Sequence, residues 1–131
     1  MAASKDISTD EDIVLLVDTF YTNIRENELL GPIFGAIIND RWPEHLEKMY
    51  RFWQTVLLEK HNYSGSPFPP HANMAIGKHH FDTWLTLWRT TLNSLFAGPL
   101  TEEAKWRAEK MATMFLSKIE YYRNHPGFPL M

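Results

Sequence analysis

HNYSGSPFPPHANMAIG, residues 61–77, decides how this chain is read. Pro67, Pro69 and Pro70, with Gly65 and Gly77, forbid a continuous helix there. On both sides apolar residues recur at helical spacing, so one long loop interrupts an otherwise helical chain. Loops of that length are uncommon in compact domains, and an ordered one usually carries function. This one carries His71 directly behind Pro69 and Pro70.

Downstream, residues 78–96 place Phe81, Trp84, Leu85, Trp88, Leu92 and Leu95 on one helical face, and Gly98-Pro99 ends that helix. Thr101 then reads as the N-cap of a last helix, with Glu102 and Glu103 favourably placed in its positive first turn. Ala104, Ala108, Met111, Phe115, Ile119 and Tyr122 supply its buried stripe. Upstream of the loop, a helix starts near Asp40, a good N-cap, with Pro43 tolerated in the first turn. It carries two apolar stripes: Trp42, Leu46, Met49, Trp53 and Val56, and His45, Met49, Phe52 and Val56. Such a wide face predicts more than one neighbour.

The first helix spans about residues 9–29, with Ile13, Val17, Phe20, Tyr21 and Ile24 on its inner side. Ser8 or Thr9, each with an acid three residues on, predicts a capping box. Gly31-Pro32 reads as its stop, and Ile33, Phe34 and Gly35 as a short turn. No strand pattern and no internal repeat is present. The expectation is an all-α chain of four helices in one domain, residues 1–131, with loosely held tails at 1–8 and 124–131.

Composition narrows the function. With 131 residues and a formal charge of −3, the chain suits one compact core and lacks the basic face that phosphate binding needs, so no nucleic-acid partner is expected. The absence of cysteine rules out disulfides, zinc–thiolate sites, a Cys nucleophile and a thiolate haem ligand. No apolar stretch approaches the roughly 20 residues that span a bilayer. The N-terminus reaches its apolar run only after several acids, unlike a signal peptide. The reading is a cytoplasmic protein with no membrane partner. Aromatic residues make up 14%, including five Trp and eight Phe, which points to a cavity lined by rings.

No GxGxxG, P-loop, HExxH or GxSxG motif occurs. What remains is the loop histidine and a set of polar aromatics. A neutral imidazole is a good iron ligand, and two prolines behind His71 would limit the entropy lost on binding. Spacing alone leaves His71 open between a ligand and a solvent-exposed loop residue. His79 and His80 are rival ligands that also read as a solvated first helical turn. Tyr21, Trp84 and His45 are each open between a pocket role and ordinary packing.

Taken in order, these residues resemble a family. The Phe20-Tyr21 pair, then LGPIF ending at Phe34, then RWPEHLEKMYRFW with His45 and Trp53, then PPH at His71, then HFDTWLTLW with Phe81 and Trp84, are similar to the truncated haemoglobins. The resemblance spans about residues 13–122 and is to group III, because no Gly-Gly pair occurs. It implies a globin-like, two-over-two helical sandwich enclosing haem b (iron protoporphyrin IX), with His71 as the metal ligand. It implies that Tyr21 and Trp84 donate hydrogen bonds to the bound ligand, with His45 and Met49 beside them. Phe34, Phe52 and Trp53 would pack against the haem, and Lys48 would reach a propionate. The implied partners are oxygen, nitric oxide, carbon monoxide and an unidentified reductase, in a monomer. Nitric oxide or peroxide handling, with dioxygenase or peroxidase-like turnover, is the leading role. A haem sensor or carrier without turnover is the first alternative, and a cofactor-free helical interaction module the second.

Overall fold

The computed structural model describes residues 4–60 and 76–124. His71, the rest of segment 61–75, the Tyr122 side chain and the tail from residue 125 lie outside the described residues. Among the described residues five helices follow in order: α1 Asp10–Glu26, α2 Leu30–Ile38, α3 Trp42–Leu58, α4 Lys78–Leu95 and α5 Pro99–Asn124. α1 packs against α2, α3 and α4, and α4 packs against α5. The pairs α1/α3 and α4/α5 form the two layers of an all-α, globin-like sandwich. Their shared core holds Ile13, Leu16, Phe20, Trp88, Leu92 and Ala108, each at most 1% exposed.

α1 starts as expected, on Thr9. Its hydroxyl accepts from the Asp12 N–H, and the Asp12 carboxylate accepts from the Thr9 N–H at 3.1 Å, closing the capping box. The same carboxylate accepts from the Ser8 N–H and pairs with Lys5 at 2.5 Å. Burial alone would push the Asp12 acid up, but Lys5 and the two backbone donors outweigh it and bring it down to about 2. Because the folded pKa is depressed, its stabilisation is present above the ordinary carboxylate range and is lost as pH falls from about 4 towards 2. Lys5 is well exposed, so the effect is about 1–2 kcal/mol. Acid titration of urea stability is expected to show this loss in the natural chain and a flatter profile in Asp12→Asn.

The stop at Gly31-Pro32 requires correction. α1 ends earlier, at Glu26, and LGPIFGAII forms a separate helix, α2. Pro32 is tolerated because it sits in the first turn, where its missing N–H has no intrahelical acceptor. Asn27 makes the junction: its side-chain oxygen accepts from the N–H groups of Leu29 and Leu30, at 3.0 and 2.9 Å, and its carbonyl from Gly31 at 2.9 Å. Gly31 is required here because a Cβ would lie 2.6 Å from the Arg25 carbonyl oxygen. The short α2 also displaces Asp40 from capping. α3 begins at Trp42 after Arg41, with no side-chain cap, because the α2 exit occupies that turn: the Arg41 N–H bonds the Ile38 carbonyl and its guanidinium the Ile37 carbonyl.

Within the tail expected over residues 1–8, of which residues 4–8 are described, Asp6 and Ile7 are packed into the fold. Ile7 is 1% exposed, and Asp6 caps α5 from across the fold. One Asp6 oxygen accepts from the Leu100 N–H at 2.9 Å; the other accepts from the Thr101 N–H and hydroxyl, at 2.9 and 2.7 Å. Thr101 is therefore not the cap; it lies inside the first turn, fully buried, and donates to the residue that is. Gly98 permits the approach: its φ is +142°, and a Cβ would meet the Asp6 side chain at 2.5 Å. Asp6→Ala is expected to cost about 2 kcal/mol by leaving three part-buried donors without their acceptor, read as a lower urea midpoint at unchanged slope.

Candidate functional site

One apolar cavity opens between α1, α2, α3, α4 and α5. Its empty space, counted with the solvent-open mouth, is about 910 Å³, within the range of cofactor and ligand pockets. None of its described lining residues is Asp, Glu, Lys or Arg.

α1 delivers Tyr21, set there by the helical spacing that also buries Phe20 and Val17. Its ring meets Phe20, Phe34, Trp42 and His45 edge-on, at 5.0, 6.2, 5.9 and 5.0 Å between centroids. Burial pushes the Tyr21 hydroxyl well above the ordinary phenol range, so it remains a proton donor at every physiological pH. It makes no hydrogen bond among the described residues.

α3 supplies His45, Met49, Phe52 and Trp53, three of the four residues of the second stripe read from the sequence plus Trp53 of the first. His45 is half-buried between Tyr21 and Trp42. Trp53 is buried and stacks on Trp88 at 4.6 Å. Lys48 is exposed on α3 and does not line the cavity.

α4 supplies Trp84, half-buried and edge-on to Phe20 at 5.5 Å. Trp88, one turn on, stacks parallel to Trp84 but spends its indole N–H on the Ala104 carbonyl at 3.0 Å. Trp84 has no such acceptor among the described residues. The two indoles therefore differ in kind: one is tied into the core, the other keeps a donor beside the cavity.

Seven of the nine residues read from the sequence line this one space: Tyr21, Phe34, His45, Met49, Phe52, Trp53 and Trp84. Lys48 stands apart, and His71 lies outside the described residues. The structure adds Ile33, Ile76, Met111, Ala112 and Phe115 to the walls, together with His80. Ile33 was hidden because α2 was read as a turn. Met111 and Phe115 were visible as a stripe, but nothing in that stripe distinguishes cavity wall from core. His80, read as a solvated first turn, is half-buried and lines the cavity, while its neighbour His79 is exposed.

Among the described residues no group of three or more His, Asp or Glu side chains is placed to hold a bare metal ion. Rings on several sides and isolated donors suit a large, flat, apolar molecule that brings its own equatorial ligands. Haem meets that description.

Comparison with known proteins agrees. The model of the bacterial-like globin family matches residues 5–117. The group 3 truncated hemoglobin ctb of Campylobacter jejuni is 30% identical over 119 residues, covering 88% of this chain and 94% of that protein. The crystal structure of group III truncated hemoglobin from Campylobacter jejuni aligns with a TM-score of 0.80 at 28% identity, with the same shares of the two chains. No helix among the described residues is long and apolar enough to cross a membrane. With the family match running through nearly all the helical layers and the likeness in both sequence and structure, the chain belongs to the bacterial-like globins and, within them, to the group III truncated haemoglobins.

Proposed function

We propose that this globin is a one-domain haem b protein that binds oxygen and other small diatomic ligands tightly, with His71 holding the iron. Globin membership carries haem binding and gas binding in general. The observation that carries the finer reading is the pair of donors, Tyr21 and Trp84, that line one apolar cavity without acceptors among the described residues.

Haem, held by His71, would supply an iron that binds a diatomic ligand. Tyr21 and Trp84 present an O–H and an N–H to a ligand whose outer atom gains negative charge. A hydrogen bond to a charged partner contributes roughly 1.5–3 kcal/mol, so one donor slows ligand escape by about one to two orders of magnitude. Phe34, Phe52, Met49 and Trp53 exclude water and so strengthen each polar contact. Such a slow-releasing site suits ligand chemistry better than bulk delivery. The proposed role is nitric oxide or peroxide handling, with electrons from a separate reductase, in the cytoplasm and as a monomer.

His71 is proposed on the sequence resemblance, and chain connectivity supports it. Ile76, a cavity-lining residue, is five positions along the chain from His71, a tether of at most about 17 Å.

The test is the absorption spectrum of freshly purified protein and its response to haem titration. A Soret band with one haem per chain is expected, followed by nitric oxide consumption once a reductase is supplied. A folded protein that takes up no haem overturns the proposal; haem uptake without consumption leaves a sensor or carrier. His45 is proposed as a gate, since it is half-buried at the cavity beside Tyr21. His45→Ala is expected to change the carbon monoxide association rate several-fold in flash photolysis while oxygen dissociation changes less. An unchanged association rate would make it a packing residue.

A further inference from the structure

His80 occupies the first turn of α4, and its ring is fixed from behind. The Gly77 N–H donates to His80 Nδ1 at 3.0 Å. Gly77 is itself held, because Arg123 of α5 donates to the carbonyl of the preceding Ile76 at 2.9 Å. A nitrogen that accepts from a backbone N–H carries no proton, so the ring proton is on Nε2. Binding a metal through Nε2 would move that proton to Nδ1, facing the Gly77 N–H, and break the bond. His80 is thus built as a donor and not as an iron ligand.

The acceptor it serves follows from the rest of the cavity. The described lining contains no Asp, Glu, Lys or Arg, and Tyr21 and Trp53 are buried within it. Haem b carries two carboxylates that cannot be left in such surroundings without partners. They must lie at the rim, and His80 is a half-exposed lining residue with a fixed N–H.

We propose that His80 is a positioning residue that donates Nε2–H to a carboxylate on the edge of the bound haem and so sets its orientation and residence. The inference rests on the haem reading above and adds the contact that anchors the group's polar edge.

The experiment measures haem transfer from the loaded full-length protein to an excess of a haem-scavenging apoglobin. Wild type, His80→Phe and His80→Gln are each loaded with haem b or with its dimethyl ester, which has no carboxylates. With haem b, His80→Phe is expected to release its group about three- to tenfold faster, and His80→Gln, which keeps an N–H, less so. With the dimethyl ester all three should release at one rate. An equal acceleration with haem b and with the ester would reduce His80 to packing and overturn the inference, as would unchanged rates with haem b. If wild type takes up no haem, the haem reading fails and this inference with it. Loss of the Soret band in His80→Gln, with retention in His71→Ala, would make His80 the ligand and overturn both assignments.

Discussion

His71→Ala, purified without added haem, is expected to lack the Soret band that wild type shows, and to regain it when imidazole is supplied with haem. The effect is the largest anticipated for any single substitution, because under the proposed function His71 would supply the directional link between protein and metal. Apart from the proposed His80 contact at the edge, the remaining cavity walls are largely apolar and would supply no bond to the metal. Among the described residues no other histidine is placed to substitute. His79 is exposed, His80 commits its Nδ1 to the Gly77 N–H, and His45 is enclosed between the rings of Tyr21 and Trp42. The fold should survive, since α1–α5 form a continuous core from described residues that exclude His71. Far-ultraviolet circular dichroism of the variant should therefore match that of the haem-free natural chain. Imidazole rescue separates loss of a ligand from loss of a fold. Undiminished haem content with an unaltered spectrum in His71→Ala would remove His71 from the iron.

The sequence revealed periodic features well and junctions poorly. The inner face of α1, the Thr9 cap and the start of α4 at Lys78 were all legible, because helical spacing and capping chemistry are local. The α1–α2 junction was not. Gly31-Pro32 signals a stop in isolation, yet it opens a helix here because Asn27 supplies acceptors for the preceding N–H groups, and because Gly31 lets the chain approach Arg25. The Asp6 cap was equally hidden, since Asp6 and Thr101 meet only after α4 and α5 have packed. Periodicity placed Tyr21, His45, Met49 and Trp84 on inner faces; what brought them to one cavity was the ordered resemblance to a family. His80 was missed for a specific reason. Its role depends on a hydrogen bond within one turn, and a histidine at a helix start is normally solvated.

Tyr21→Phe and Trp84→Phe test the proposed function at the level of two polar hydrogens. Tyr21→Phe keeps the ring and its four edge-on partners, so only the donor is lost. Trp84→Phe loses some bulk as well as the N–H, but the stack is anchored by Trp88 through its bond to Ala104. Oxygen dissociation, followed by stopped-flow replacement with carbon monoxide, is expected to accelerate about tenfold or more in at least one variant. Carbon monoxide dissociation should change much less, because that ligand places little negative charge on its outer atom. The burial that keeps Tyr21 protonated makes this contribution independent of pH across the physiological range, which separates it from any effect carried by the histidines. The two donors serve one small ligand, so their effects should not add, and the double variant should reveal coupling. Removal of one donor can also free the other to approach the ligand more closely, in which case one single variant releases oxygen more slowly than wild type. Either departure from additivity supports a shared polar lock. Equal oxygen release in wild type, both single variants and the double variant would leave Tyr21 and Trp84 as core aromatics, and the tight-binding reading would fall while haem binding itself still stood.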